Sequence, residues 1–118
     1  MRTTRCTRIV TLLLICGIAT SAAAGTATDA VVAIRVDSTG KGLVQFASPV
    51  VSLAACCTGT ACSTTSLAFD TNTAGGKAIL TLVTSAKLSN KKVQATGSGA
   101  CSIYPGAAED FSAGVLMP

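Results

Sequence analysis

The 118-residue sequence contains no histidine and no tryptophan, and only 3% of its residues are aromatic. Without histidine, the chain lacks the usual general base of hydrolases, the catalytic triads built on it and the histidine-containing zinc sites. Only 12% of the residues are charged, whereas 49% are hydrophobic. That apolar fraction is too high for a disordered polymer, and the length supports one folded domain. The composition favours a small domain that is not an enzyme and carries no cofactor.

Residues 1–24 have the three parts of a secretory signal peptide. Three arginines precede an apolar run over residues 9–19, and Ala22 and Ala24 complete an A-x-A cleavage site. The apolar run is shorter than the roughly 20 residues that a membrane-spanning helix needs. We therefore predict that a signal peptide is removed and that residues 25–118 form a single exported domain, periplasmic or extracellular.

Removal of the signal peptide changes the charge balance. The whole chain has nine basic and five acidic residues and a formal charge of +4, but three of the arginines lie within its first eight positions. The exported domain keeps six basic residues against five acidic ones, a net charge of +1. This charge gives no electrostatic footprint for nucleic acid or acidic lipid. We predict no nucleic-acid partner and no membrane span, and a partner that is a protein, a surface ligand or another copy of the chain.

Four cysteines remain in the exported domain: Cys56, Cys57, Cys62 and Cys101. In an oxidising compartment an even set of cysteines predicts disulfides, and four allow three full pairings. We expect a Cys62–Cys101 bond, because each residue lies beside a predicted strand and the bond would join distant segments. Cys56 and Cys57 would then form a vicinal bridge, pair between chains or stay reduced. The alternative is a thiolate metal or redox site with C-C-x4-C spacing, suited to Cu(I) or zinc.

Hydrophobic periodicity predicts a mainly β domain. Residues 30–37 alternate as in a strand, with Val32, Ile34 and Val36 on one face, and residues 43–48 return after a glycine-containing turn as the second strand of a hairpin. A loop is expected over 56–64. Further strands are expected over four segments: 50–55, 65–70, 91–97 and 111–116.

A helical period replaces the strand period after residue 70. Four apolar residues share one helix face: Ile79, Leu82, Val83 and Ala86. Asn72 or Thr73 can cap the start of this helix, and Asn90 can end it in a left-handed conformation. The order of hairpin, strand, helix, strand and strand predicts a small OB-like five-stranded barrel with the helix between the third and fourth strands. An α+β sandwich with one helix covering a sheet face is the alternative.

Two side chains are candidates for ligand contact. Phe46 and Phe69 point inward in the predicted strands, which leaves Tyr104 as the main residue for stacking on a ligand. Lys77 follows Gly76 as in a phosphate-binding loop, but the sequence lacks the earlier glycine and the following Ser or Thr of that motif. We assign Tyr104 and Lys77 as candidate ligand-binding residues.

The acidic and hydroxyl side chains do not form a recognisable catalytic set. Glu109 and Asp110 are the only acidic pair, and adjacent carboxylates in a predicted loop cannot act across a substrate as an acid and a base. A serine nucleophile such as Ser98 would need a lysine as its base. We predict no catalytic residue and no metal site.

Two motifs in the C-terminal half carry a resemblance: D-T-x-T-A-x-G-K at the helix start and G-x-G-x-C-S in a strand. They resemble a family of small exported bacterial proteins of uncharacterised function. The matching positions are Asp70, Thr71, Thr73, Gly76, Lys77, Ala86, Lys87, Lys92, Val93, Gly97, Gly99, Cys101 and Glu109. The signal peptide, single helix and strand order are also similar to the OB-fold B subunits of AB5 toxins, which implies a glycan-binding alternative and a larger partner subunit.

Overall fold

The computed structural model describes residues 23–57 and 59–118. Residues 1–22 of the predicted signal peptide therefore lie outside the described part of the chain. One helix, α1 (Ala74–Ser89), lies between the third and fourth of five strands. The strands are β1 (Thr26–Val36), β2 (Lys41–Phe46), β3 (Ser66–Asp70), β4 (Lys92–Gly97) and β5 (Glu109–Leu116). The predicted class, mainly β with one helix between the third and fourth strands, is confirmed.

The five strands pair in a closed ring in the order β1-β2-β3-β5-β4, and β4 pairs back to β1. All neighbours are antiparallel except β3 and β5, which run parallel. The 11-residue β1 closes the ring, because its first half pairs with β4 and its second half with β2. This arrangement is the OB-like five-stranded barrel that the element order predicts.

A β-bulge in β1 changes which residues face the core. The register with β2 shifts between Val31 and Ala33. Val31 is buried, whereas Val32 and Val36 are 47% and 46% exposed, and only Ile34 of the predicted apolar face packs against the core. The prediction of one apolar face was therefore wrong for the two valines. The bulge takes Val32 out of the alternation. Val36 shares a face with Ile34 but is exposed because it is the last residue of the strand.

The predicted edge strand over 50–55 is also wrong. The segment makes only one isolated bridge, between Val51 and Thr26, with two backbone hydrogen bonds of 2.8 and 2.9 Å. Val50 and Ala54 are nevertheless buried. This segment therefore covers the start of β1 as an irregular loop and continues into the cysteine-containing loop.

The helix begins and ends at the residues that the sequence indicates. The hydroxyl of Thr73 accepts a hydrogen bond of 2.9 Å from the Gly76 amide, and Asn90 ends the helix with a φ of 55°. A Cβ at Gly76 would lie 1.7 Å from the carbonyl oxygen of Asp70, so the helix can start this close to β3 only with glycine there. Val83 and Ala86 are fully buried against the barrel.

The strands enclose an apolar core. Phe46 faces inward, as predicted, and so do Val44, Val93 and Ala95. Phe46 and Phe111 meet with ring centroids 6.5 Å apart. No helix within 23–57 and 59–118 is long and apolar enough to cross a membrane.

Candidate functional site

Asp37 organises the turn between β1 and β2. Its Oδ1 accepts the amide and the hydroxyl of Thr39, at 2.8 and 2.5 Å, and the amide of Lys41 at 3.3 Å. Its other oxygen, Oδ2, accepts the phenol hydroxyl of Tyr104. Tyr104 lies in the long loop between β4 and β5, so one hydrogen bond joins two loops that are 67 residues apart in sequence.

These hydrogen bonds stabilise the charge state that each side chain has at neutral pH. The hydroxyl of Thr39, followed by that of Tyr104, lowers the pKa of Asp37 from 3.8 to about 2. The same bond to Asp37 raises the pKa of Tyr104 above its ordinary value of 10.0. At neutral pH the pair is therefore a carboxylate that accepts and a neutral phenol that donates.

The turn between β3 and α1 packs against the same place. Asn72 donates from its amide Nδ2 to the Thr39 carbonyl at 2.8 Å, and Thr71 donates to the Gly40 carbonyl through both its amide and its hydroxyl. Three loops therefore meet around one set of polar side chains. We call this set, Asp37, Thr39, Asn72 and Tyr104, the Tyr104 cluster.

The two candidate ligand-binding residues differ in their surroundings. Tyr104 is half-buried within the Tyr104 cluster. Lys77 is exposed in the first turn of α1, where its amide donates to the carbonyl of the helix cap Thr73. In the described part of the chain no hydrogen bond or ion pair joins the Lys77 side chain to the Tyr104 cluster. The structure therefore does not bring the two candidates into one site, and their role in ligand contact stays a prediction.

All four cysteines of the domain form disulfides, but not with the predicted partners. Cys56 bonds Cys101 with Cα atoms 5.9 Å apart, and Cys57 bonds Cys62 with Cα atoms 5.3 Å apart. The prediction of a Cys62–Cys101 bond was therefore wrong. Adjacent cysteines point in different directions, so Cys56 reaches across to the β4–β5 loop while Cys57 turns back within its own loop.

Because all four cysteines of the domain are in disulfides, none of them is a free thiolate that could bind a metal ion or act in redox chemistry. Cys57 and Cys62 are buried, and both pairs are oxidised. Within residues 23–57 and 59–118 no group of three or more side chains is arranged to hold a metal ion. The Cys56–Cys101 disulfide instead joins the loop that begins at Cys56 to the loop that carries Tyr104.

Glu109 forms a second carboxylate centre, which the sequence does not reveal. It lies in β5 rather than in a loop, and its side chain is fully buried. The amide of Gly25 donates to both of its oxygens, at 3.0 and 3.1 Å, and the amide of Gly99 donates at 2.9 Å. A third amide, from Ala54, donates at 3.4 Å. Three distant chain segments therefore converge on this carboxylate.

Glycines make the space for the Glu109 carboxylate. A Cβ at Gly97 would lie 2.2 Å from Oε1, and a Cβ at Gly25 would lie 2.6 Å from Oε2. The glycines of the G-S-G sequence over 97–99 permit a bulge or a close backbone contact, and the structure has both, with a register shift between Thr96 and Gly97. We call Gly25, Ala54, Gly97, Gly99 and Glu109 the Glu109 pocket.

Asp110 is the next residue of β5, and its side chain lies on the opposite face of the strand from Glu109. Its oxygens accept the amide and hydroxyl of Ser102 and the amide of Ile103, the latter at 3.0 Å. Asp110 is 8% exposed, so these bonds are largely shielded from water. Asp110 thus shapes the loop just before Tyr104, while Glu109 points into the barrel.

A shallow groove of about 450 Å³ runs between α1 and β5. Its lining is almost entirely small or apolar: Gly75, Ala78, Ile79, Leu82, Ser112, Ala113 and Gly114. Ligand sites combine an apolar lining with several convergent polar groups that orient the ligand. Only Ser112 offers a polar side chain here, so the groove is the weaker candidate.

Comparisons of the chain with protein-family models, with curated proteins and with solved structures gave no match. The two resemblances from the sequence therefore stay predictions. The inference about function depends on the chemistry of the two carboxylate centres.

Proposed function

We propose that residues 25–118 form an exported, disulfide-stabilised binding domain without enzymatic activity, and that its ligand contacts the Tyr104 cluster. The observation that carries this proposal is the hydrogen bond from Tyr104 to Asp37. In OB-fold proteins the β1–β2 and β4–β5 loops border the ligand-binding face, and this bond joins those two loops. The two disulfides and the signal-like N-terminal sequence support export.

The side chains of the Tyr104 cluster favour a ligand rich in hydroxyl groups. Asp37 offers a carboxylate that stays ionised at physiological pH, Asn72 offers an exposed amide, and Tyr104 offers both a phenol and the face of an aromatic ring. Carboxylates and amides accept and donate the hydrogen bonds of sugar hydroxyls, and an aromatic ring packs on the apolar face of a sugar. An oligosaccharide is therefore the ligand class we propose, in agreement with the resemblance to sugar-binding B subunits.

Rigidity supports the same function. The Cys56–Cys101 disulfide and the bonds to Asp110 hold the loop that presents Tyr104. A loop that is ordered before binding loses less conformational entropy when the ligand arrives. The domain thus offers a preformed polar surface rather than a flexible one.

A glycan array with the exported domain tests this proposal. We expect binding to at least one glycan, and a loss of about tenfold or more in affinity for the Tyr104→Ala variant. Asp29→Asn is the matched control, because Asp29 is also a partly exposed carboxylate that accepts a hydroxyl, that of Ser48, but it lies outside the Tyr104 cluster. Circular dichroism shows that each variant is folded.

Two results would contradict the proposal. An array without any bound glycan removes the oligosaccharide as ligand. If Tyr104→Ala binds the glycan with full affinity and Asp29→Asn instead loses about tenfold in affinity, the binding surface lies elsewhere on the barrel.

A further inference from the structure

The Glu109 carboxylate is buried without a basic side chain beside it. The only ion pair within residues 23–57 and 59–118 joins Lys92 and Asp29 at the surface, at 3.9 Å. Glu109 has 0% exposure and takes its hydrogen bonds from backbone amides alone. Burial of a carboxylate away from water is unfavourable unless a positive charge and hydrogen bonds replace the water.

The Gly25 nitrogen is placed where such a positive charge would be most effective. It lies 3.0 Å from Oε1 and 3.1 Å from Oε2 of Glu109. A peptide amide has one hydrogen to share between these two oxygens, whereas an α-ammonium group has three hydrogens and a full charge. Gly25 is also the residue that directly follows the A-x-A site ending at Ala24.

We propose that removal of the signal peptide after Ala24 creates an α-ammonium group at Gly25 that forms a buried ion pair with Glu109. A signal peptidase hydrolyses the Ala24–Gly25 bond with one water molecule. The water oxygen becomes part of the new carboxylate of Ala24, and the Gly25 nitrogen takes both protons of the water to become an ammonium group. This proposal rests on the export of the domain and is independent of its ligand.

The surroundings of Gly25 fit a chain terminus. Ala23 is exposed and Ala24 half-buried, so the chain before Gly25 leads to the surface. The carbonyl of Gly25 accepts the Gly97 amide at 2.7 Å, which holds Gly25 in place without any help from Ala24. Glycine suits this first position, because a Cβ would lie 2.6 Å from both Glu109 Oε2 and Val50 Cγ1 and would force these side chains to shift.

The consequence is a link between processing and stability. The ion pair would join the new N-terminus to β5 and, through the amides of Ala54 and Gly99, to the two loops that the Cys56–Cys101 disulfide bridges. The barrel would therefore reach its full stability only after the signal peptide has been removed.

The test uses the full chain expressed with its own signal peptide in a bacterial host. The intact mass of the exported product is expected to correspond to residues 25–118. In a matched variant, Ala-Ser is inserted after Ala24, so that the exported chain begins two residues earlier and Gly25 carries a peptide amide. Both products are then compared in two independent measurements.

The first measurement is the rate at which an N-terminus-selective aldehyde labels the native protein. We expect labelling of the normal product to be at least about tenfold slower than that of the insertion variant, because the buried amine reacts only when the structure opens. The second is urea unfolding, in which we expect the insertion to raise the unfolding equilibrium constant about tenfold or more.

Glu109→Gln shows whether the effect depends on the carboxylate. In this background the insertion is expected to change the unfolding constant by less than about twofold, because the ion pair has lost its partner. Lys92→Gln is the control, since it removes the exposed ion pair and leaves the effect of the insertion intact. If Glu109→Gln does not fold, the labelling rates of the normal product and the insertion variant test the proposal, because that comparison needs no substitution at Glu109.

Three results would overturn the proposal: a product that begins at another residue, equal labelling rates, or a full effect of the insertion in Glu109→Gln. A glycan array without binding leaves all three measurements unchanged, so the failure of the ligand proposal is distinguishable. A chain that is not exported would contradict both.

Discussion

Asp37 and Glu109 are both carboxylates that accept backbone amides, yet the two regions around them differ in their access to water. Asp37 lies at a turn, and two of its donors are side-chain hydroxyls, from Thr39 and Tyr104. Glu109 lies inside the barrel, and all its donors are backbone amides from three separate segments. Water or a ligand hydroxyl can replace the donors of Asp37 but not those of Glu109. The first arrangement suits reversible binding, and the second holds the fold together.

The largest expected effect is that of Glu109→Ala. It leaves the backbone nitrogens of Gly25, Ala54 and Gly99 without their acceptor, and each costs roughly 1–3 kcal/mol, so we expect a loss of about 4 kcal/mol or more in the free energy of unfolding. Asp37→Ala is the matched change at the other carboxylate, and we expect it to cost far less because water can take over its bonds. Urea unfolding of both variants measures the difference.

Equal losses in the two variants would contradict this comparison. A Glu109→Ala protein that is as stable as the unmodified chain would show that the pocket contributes nothing to the fold. A protein that is too unstable to purify agrees with the prediction, provided that Asp37→Ala is purified normally under the same conditions.

The next effect concerns the disulfide beside the Glu109 pocket. Cys56–Cys101 joins the two loops that supply the amides of Ala54 and Gly99, across 45 residues, whereas Cys57–Cys62 spans only 5. From loop-closure entropy, loss of these bonds is expected to cost about 4 and about 2 kcal/mol respectively. Double alanine variants of each pair, compared by urea unfolding, test the order.

The two disulfides should also differ in their effect on the Tyr104 cluster. The variant without Cys57–Cys62 should keep the Tyr104–Asp37 hydrogen bond, because the loop that carries Tyr104 is held by the other disulfide, Cys56–Cys101. A larger loss from the short disulfide than from the long one would show that chain entropy does not govern their contributions.

The sequence predicts those parts of the fold that depend on neighbouring residues. Thr73 and Asn90 mark the helix ends because capping is a contact within a few residues, and the alternation in β2 and β4 reveals their inward faces. The bulge in β1 cannot be predicted in this way. Val31 and Val32 are equally apolar and β-branched, so the pattern does not show where the extra residue enters the strand.

The features that the sequence does not predict depend on distant residues. Glu109 meets Gly25 and Ala54 across 84 and 55 positions, and nothing near Glu109 indicates that it is buried. The disulfide pairing fails for a related reason, since the direction of each side chain in Cys56-Cys57 is set by the loop and not by its spacing from Cys101. Elimination among the aromatic residues identifies Tyr104 as a candidate, but nothing in the sequence identifies its partner Asp37.

The smallest expected effect is that of Tyr104→Phe, which removes one hydroxyl from Asp37 and keeps the ring. The pKa of Asp37, about 2 in the intact cluster, should rise part of the way toward 3.8, because the hydroxyl of Thr39 remains. A pH titration of the Asp37 carboxyl carbon by NMR measures this shift. Asp29, whose pKa is lowered mainly by the hydroxyl of Ser48, is the internal control and should titrate unchanged.

The same shift has a defined sign for stability. Because the folded state holds the pKa of Asp37 below its ordinary value, the Asp37 bonds stabilise the fold fully above about pH 4 and lose that contribution as the pH falls toward 2. Tyr104→Phe should therefore weaken the dependence of stability on pH between about 4 and 2 and leave it unchanged near neutrality. An unaltered pKa of Asp37 in Tyr104→Phe would show that the phenol does not donate to this carboxylate in solution. The contrast between Asp37, whose donors a ligand can replace, and Glu109, whose donors are fixed, would then not hold for Asp37.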